Sequence, residues 1–343
     1  MLSAELARFI KTLTYEEIPA ETTAQLRGRL LEGVIIALAS SPESLNDGTS
    51  WSNPVSSTAH SPAAPDPTSD ETPSGAQQGA QALDEQTLLP ELSALANGLL
   101  LDVRRKDTTN TDHLHAFDSA ILPAAWGSAE AYQADGKKLM EVLAAGYATS
   151  ATLAAILADE SEHPWYAGMS SGTIGAAAAA AKARGLTEQA TRHALGLAAD
   201  QAMRLAENAR KVAISSESQE QGFRDDDLTD VPGPGRAAMD GVLCASLAAS
   251  GAPSFPDTHE LLQALWERKR GAEEMNIVWF PDGSGCVLPS VEDIEQRFMT
   301  LVGRESGQAN AWALLESVRS LEALPAGQLM AYLMGRKGRR LQS

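Results

Sequence analysis

The chain has 343 residues, of which 43% are hydrophobic, so it can bury a sizeable core and does not have the composition of a disordered protein. Its 45 acidic residues against 27 basic ones give a net charge of −18, which argues against binding to nucleic acid or to an anionic membrane surface. With two cysteines, no signal-like N-terminus and no apolar run of about 18 residues, the sequence predicts a soluble cytoplasmic protein without a disulfide framework or a cysteine-based metal site.

Along most of the chain, apolar residues recur at i, i+3, i+4 and i+7, which predicts an all-α fold. Alanine and leucine are abundant, whereas stretches that alternate apolar and polar residues are few. In chain order, the pattern predicts helices over 4–12, 20–40, 86–104, 118–133, 136–158, 173–184, 187–212, 235–250, 257–270, 291–303, 307–321 and 325–334. We expect one helical domain over residues 1–343.

Three stretches interrupt the helical pattern. Residues 41–81 are rich in Ser, Pro, Asp and Gly and nearly lack large apolar side chains, so we expect a mobile insertion loop there. Residues 213–234 are polar and contain three consecutive aspartates, which predicts an acidic loop. Residues 275–289 hold the only plausible strand, Asn276 to Phe280.

The segment from Gly172 to Gly175, the six alanines that follow it and the next helical stretch resemble the signature helix pair of the MmgE/PrpD family. Six further segments fit the family in the same order. They are Leu13 to Ala20, Leu30 to Ala39, Ala94 to Gly98, Ile121 to Ala125, Gly146-Tyr147 and Gly235 to Gly241. The resemblance implies a multi-helix domain, pairing into a homodimer through that domain, and chemistry related to that of 2-methylcitrate dehydratase and cis-aconitate decarboxylase.

The family's second domain, an α+β lid, follows the position of Phe255-Pro256, after which the chain returns to the helical domain. Val291 to Met334 resembles that return. Only about 35 residues separate the two parts, which is too few for a domain of the lid's kind. The resemblance therefore implies an all-α, MmgE/PrpD-like domain without the α+β lid.

In the family, the active-site loop follows the segment that matches Ala94 to Gly98, and it supplies histidines, aspartates and a threonine. By spacing, Asp102 stands in place of a histidine, Arg105 in place of an aspartate, and Asp230 in place of a lysine before the Gly235 segment, whereas Asp107 keeps an acidic position. Tricarboxylate substrates need cationic groups and proton carriers. We therefore expect a larger, weakly charged substrate, such as a polyketide or terpenoid intermediate.

Asp112-His113-Leu114-His115 places two imidazoles two residues apart on this loop. Either His113 and His115 act as a base and its orienting partner, with Asp107 or Asp112 fixing the tautomer, or they are two solvated loop histidines. We take His113, His115 and Asp107 as candidate catalytic residues, and Tyr166 as a candidate hydrogen-bond donor. No third ligand follows at helical spacing, so we predict neither a metal site nor a cofactor.

The stretch before the alanine-rich helix combines apolar and hydroxyl side chains, which either line a substrate pocket or form a packed helix cap. Arg224, in the acidic loop, either holds a substrate carbonyl or belongs to a solvated charge run. The candidate substrate-binding residues are Trp165, Met169, Ser170, Ser171, Thr173 and Arg224. We expect the pocket between the loops 102–118 and 163–173 and the segment 224–236.

Two functions remain open at this point. The first is a cofactor-free lyase, isomerase or cyclase of secondary metabolism, which dehydrates, isomerises or cyclises a weakly charged intermediate; a pericyclic step would need mainly shape and a few polarising donors. The second is a catalytically inactive binding or dimeric assembly protein that keeps the family's homodimer.

Overall fold

The computed structural model describes residues 2–39, 56–57, 87–107, 118–157, 164–217, 233–270, 277–279 and 290–324. Within these ranges the fold is helical, which confirms the predicted fold class. The α-helices are α1 (Leu2–Thr12), α2 (Ala20–Ala39), α3 (Pro90–Asp107), α4 (Asp118–Ala131), α5 (Gly136–Leu157), α6 (Pro164–Arg184), α7 (Glu188–Glu217), α8 (Gly233–Ala249), α9 (Pro256–Arg270), α10 (Val291–Ser306) and α11 (Gln308–Arg319). Two 3₁₀ turns cover Tyr15–Glu17 and Leu321–Ala323.

The sequence misplaced the starts of two helices. The helix predicted from residue 86 begins at Pro90, and Thr87–Leu88 before it is a short strand. The loop predicted over 163–173 is wrong from Pro164 onward, because α6 begins at that proline and not at Thr173. Proline suits the first position of a helix, where its missing N–H costs nothing. Likewise, the loop predicted from Asp102 is helical as far as Asp107.

Several other expectations fall partly outside the described residues. From the predicted insertion 41–81 the structure describes Ser56–Ser57, a two-residue strand that pairs in parallel with Thr87–Leu88. Residues 213–217 of the predicted acidic loop are the end of α7, and α8 begins at Gly233, so 218–232 lie outside. The strand expected near Ile277–Trp279 is not formed there; instead the Trp279 ring packs edge-on against Phe9. The helix expected over 325–334 also lies outside.

Helix α6 is the centre of the bundle and packs against α4, α5, α7 and α8. Its residues 171–183 are all buried, including the six alanines. A side chain that ends at Cβ lets neighbouring helices approach closely, and Gly175, which has no Cβ, allows a still closer approach. A Cβ added at Gly175 would lie 2.8 Å from the carbonyl oxygen of Gly146 on α5.

Helices α4, α6 and α8 run in the same direction. Near its start, α4 places Ile121 against Gly175, and just beyond its end Tyr132 accepts a hydrogen bond from Arg184. Helix α6 likewise runs along α8: a Cβ at Gly241 would lie 2.6 Å from the carbonyl oxygen of Thr173, and later in both helices Arg184 donates a hydrogen bond to Ser246.

Helices α3, α5 and α7 run in the opposite direction. On α5, Gly146 lies against Ala179 and the later Ser150 lies against the earlier Gly175. On α3, Glu91 accepts a hydrogen bond from Ser246 near the end of α8, whereas the later Gly98 touches the start of α8. Helix α7 begins three residues after α6 ends and packs back along α6 and α8.

Candidate functional site

The alternating directions bring three helix starts to one end of the bundle. At this end, Asp118 begins α4, Pro164 begins α6 and Gly233 begins α8, while α3, α5 and α7 finish there. The connections 108–117, 158–163 and 218–232 therefore all leave and re-enter the helices at the same end, which we call the connection end. The predicted pocket segment 102–118 contains the first connection, whereas 163–173 shares only His163 with the second and 224–236 shares residues 224–232 with the third.

A close contact between glycines fixes part of this end. A Cβ added to Gly98 would lie 2.6 Å from the Cα of Gly235 and 3.1 Å from the carbonyl oxygen of Ser119. The backbones of α3, α4 and α8 therefore meet without side chains between them. Gly98 belongs to the segment that resembles the motif before the family's active-site loop, so the sequence signal at this position has a packing explanation.

The structure describes the predicted site residues unevenly. Ser171 and Thr173 are fully buried on α6, within three turns of its start. For the others on helices, the structure describes only the helical backbone; these are Asp107, Trp165, Tyr166, Met169 and Ser170. His113, His115 and Arg224 lie outside the described residues.

A buried polar network that the sequence did not single out lies at the connection end. The Arg29 guanidinium of α2 donates to Oδ2 of Asp118 across 2.7 Å, and the Tyr147 hydroxyl of α5 donates to Oδ1 across 2.5 Å. All three side chains are buried. Burial, reinforced by the charge of Asp118, raises the pKa of Tyr147 well above its usual value. Tyr147 therefore remains a hydrogen-bond donor at neutral pH.

This network holds the first residue of α4 from two directions. Asp118 follows His115 by three residues, so the C-terminal anchor of the histidine-bearing connection is fixed against both α2 and α5. A carboxylate in the first turn of a helix is also stabilised by the helix dipole. One signal for the network was present in the sequence, because Arg29 lies three residues after Leu26 and next to Leu30, on the apolar side of α2, and charged residues are seldom buried without a partner.

Two buried hydroxyls lie on α5 shortly after Tyr147, toward the connection end. Within the described part of the chain, Thr149 Oγ1 and Ser150 Oγ are enclosed and have no hydrogen-bond partner. The nearby Thr152 Oγ1 accepts a hydrogen bond from the Val278 backbone at 3.2 Å. Because an enclosed hydroxyl without a partner loses free energy, Thr149 and Ser150 are places where a water or a ligand oxygen would be stabilised.

The described residues contain no group of three His, Cys, Asp or Glu side chains that is arranged to hold a metal ion. None of the helices searched in this part of the chain is long and apolar enough to cross a membrane. Cys244 is buried on α8, and burial raises the pKa of its thiol to about 12, so it stays protonated at neutral pH.

Comparison with known families identifies one match. The family model described as the MmgE/PrpD N-terminal domain covers residues 4–271, which is more than three quarters of the chain and includes α2 to α9 in full. Helices α10 and α11 lie beyond the matched range. No curated protein matches the chain.

Proposed function

The chain belongs to the MmgE/PrpD family, and membership of this family supports lyase-type chemistry in general. From this premise we propose that the protein is a cofactor-free lyase or isomerase that acts on a weakly charged biosynthetic intermediate. The observation that carries the proposal is the convergence of three connections at one end of the bundle. Each connection holds polar residues that follow or precede a buried helix, which is the arrangement expected around a pocket between helices.

The charge of these connections favours a substrate that is neutral or weakly charged. The three connections together contain nine acidic residues, and their only lysine or arginine is Arg224. The acidic residues are Asp112, Asp159, Glu160, Glu162, Glu220, Asp225, Asp226, Asp227 and Asp230. A tricarboxylate would meet like charge at this end and would find few cations to hold it, so its binding would be weakened.

In the proton-transfer version of the proposal, His113 and His115 carry the protons. One imidazole removes a proton next to a substrate carbonyl. In a dehydration the second gives a proton to the departing hydroxyl, which leaves as water; in an isomerisation the proton returns at another carbon. Asp107 orients one imidazole, and Tyr166 donates a hydrogen bond to the carbonyl. Three of the six histidines of the chain, including this pair, lie in the three connections.

The remaining residues would bind and position the substrate. We assign apolar walls and hydroxyl or guanidinium contacts to Trp165, Met169, Ser170, Ser171, Thr173 and Arg224. A polyketide or terpenoid fits such a mixed lining. The same lining would also serve a pericyclic cyclisation, in which a folded conformation and a few donors lower the barrier and no proton moves.

A non-catalytic function is the second candidate, because three positions of the family's active site carry other residues here. Asp102, Arg105 and Asp230 replace a histidine, an aspartate and a lysine by spacing. In this alternative, the domain is a binding or assembly protein that retains the homodimer and has lost its chemistry.

Both candidate functions include a homodimer. Its proposed contact face lies on α3 and α8, where Leu92, Leu243 and Leu247 are 46%, 39% and 42% exposed. The Ser246–Glu91 hydrogen bond holds the two helices side by side, so these leucines form one continuous outward face. A second copy of the chain would cover apolar surface that is otherwise in water.

Hydrogen exchange at carbon tests the function on several classes of substrate at once. The protein would be incubated in D₂O with neutral β-hydroxy and β-keto thioesters and with 2-methylcitrate, citrate and cis-aconitate, and deuterium uptake and product formation would be followed by mass spectrometry. If the protein catalyses proton transfer, it should exchange deuterium into the neutral compounds. The variants His113→Ala and His115→Ala should lose this exchange, and the matched control His60→Ala should keep it. Exchange with the tricarboxylates alone would overturn the substrate class, and binding without exchange or conversion would favour the second candidate.

A further inference from the structure

Outside the connection end, two histidines face one serine. Ser254 lies in the turn between α8 and α9, His193 lies on α7, and His259 lies on α9. Nδ1 of His193 lies 3.0 Å from the Ser254 hydroxyl, and Nε2 of His259 lies 2.6 Å from the same oxygen. Both distances are within hydrogen-bond range for a nucleophile and a base.

The backbone fixes the tautomer of one imidazole. The Ser254 N–H donates to Nδ1 of His193 at 3.2 Å, so this nitrogen carries no hydrogen and is an acceptor. We assign the single hydrogen of the hydroxyl to His193, whose Nδ1 lone pair is then shared with the backbone N–H, and the Nε2–H of His259 to the hydroxyl oxygen. In this arrangement Nδ1 of His259 carries a lone pair, which is buried and has no partner in the described structure. Burial, together with Arg192 and His193, lowers the pKa of His259, which keeps this imidazole neutral.

A glycine makes the arrangement possible. Gly196 lies one turn after His193, and a Cβ added there would lie 2.6 Å from Cε1 of His259 and 2.6 Å from Cβ of Ser254. Any other residue on α7 at this position would push both partners away. The hydroxyl, the two imidazoles and the glycine therefore form one packed unit.

The unit lies at the surface and is not enclosed. His259 is only 5% exposed, whereas Ser254 itself is half-buried and the following Phe255 is 59% exposed. Ser254 is therefore in contact with solvent, while His259 is fixed in the interior beside it. Phe255, the next residue in the chain, adds an exposed apolar side chain.

We propose that Ser254 is a reactive serine that takes an acyl group from an ester, with His193 as the proton acceptor and His259 as the donor to the reacting oxygen. In the transfer, the O–H bond of Ser254 breaks and its proton passes to Nδ1 of His193 as the hydroxyl oxygen bonds to the acyl carbon. The bond from that carbon to the ester oxygen then breaks, and the departing alkoxide takes the proton from His193. No oxidant or metal is needed. This assignment is independent of the function proposed for the connection end.

The test uses the full chain with a fluorophosphonate probe and with p-nitrophenyl acetate, and peptide mass spectrometry locates the adducts. Ser250 is the internal reference, because it is an exposed serine in the same turn whose hydroxyl donates to the Ser246 carbonyl and faces no imidazole. We expect Ser254 to be labelled about 10²-fold faster than Ser250, since a positioned base contributes at least that factor. If Ser254 in the unmodified protein is labelled only at the rate of Ser250, the proposal is overturned. Because this comparison needs no variant, misfolding of a variant cannot explain the result.

Variants identify the base. His193→Gln should reduce labelling of Ser254 to the rate of Ser250, whereas Gln189→Ala, at an exposed position one turn earlier on α7, should leave it fast. Acid pH, which protonates the imidazoles, should slow the labelling of unmodified protein in the same way. Fast labelling that persists in His193→Gln and is unchanged by acid would overturn the assigned role of His193.

Discussion

The carboxylate of Asp118 lies 2.7 Å from the guanidinium of Arg29, and this contact ties the first residue of α4 to the middle of α2. Both side chains are almost completely enclosed, and the second carboxylate oxygen accepts the Tyr147 hydroxyl. A buried ion pair of this kind gains little free energy over an apolar replacement, but losing one partner leaves an uncompensated charge in the interior. The connection that carries His113 and His115 ends at this anchor.

Asp118→Ala should destabilise the protein strongly. The change removes the buried carboxylate that accepts hydrogen bonds from Arg29 and Tyr147, and breaking a buried pair of this kind costs about 3–5 kcal/mol of the free energy of unfolding. Urea denaturation measures the loss. The matched control is Glu16→Gln, which removes a pair with Lys137 that is exposed to solvent and should leave stability almost unchanged. Equal effects of the two changes would contradict the role assigned to the buried pair.

Glycine contacts give a second prediction. Gly98→Ala should destabilise the bundle, because the new Cβ would lie 2.6 Å from the Cα of Gly235 and would force α3 and α8 apart, at a cost of about 1–3 kcal/mol. Gly127→Ala, on α4, is the control. There the nearest atom, Ser93 Oγ, would lie at an ordinary 3.4 Å, so the gain in helix propensity should leave stability unchanged or higher. Melting temperatures of the two variants distinguish the cases.

The positions of most helices could be predicted because apolar spacing and local punctuation determine them, as at Gly185 before α7. The start of α6 could not be predicted by spacing, since Gly168, Ser170 and Gly172 disfavour a helix in isolation and the surrounding helices override that preference. Pro164 was the available signal. The relative directions of the helices depend on contacts between them, such as that of Gly98 on α3 with Gly235 on α8. A single sequence does not reveal such contacts. Arg29 was visible as a charged residue on the apolar side of α2, but its partner Asp118 is distant in the chain.

Stability should depend on pH through His259. Burial lowers the pKa of this imidazole in the folded protein, with Arg192 and His193 contributing, so the unfolded chain takes up the proton at a higher pH than the folded one. The contribution to stability is therefore complete above the ordinary pKa of histidine, about 6.5, and is lost as the pH falls from there toward the folded value. Thermal unfolding at pH 7.5 and pH 5.5 should show a larger loss for the unmodified protein than for His259→Gln. An identical pH dependence in both proteins would contradict the buried, neutral state of His259.

The proposed dimer face makes a prediction about mass. Leu243→Asp with Leu247→Asp should give a monomer, because two carboxylates would be buried without partners if the copies still paired through α3 and α8. Light scattering after size exclusion measures the mass. Val291→Asp is the control, since Val291 is similarly exposed, at 45%, but lies at the start of α10. A monomer mass for the unmodified chain at all concentrations would contradict the homodimer itself.

The final prediction separates the two chemistries proposed for the connection end. If protons move, His113→Ala or His115→Ala should lower turnover by about 10²-fold or more, because each removes a group that carries a proton near neutral pH. If the reaction is pericyclic, both changes should have small effects, and Trp165→Ala or Tyr166→Ala should cost more by loosening the fit around the folded substrate. Steady-state kinetics of the four variants on a substrate found by the exchange screen, with His60→Ala as the matched control, decides between the two. Full activity in all four variants would show that the site lies elsewhere. Ser171 and Thr173, which are buried in the first half of α6, would then have only a packing role.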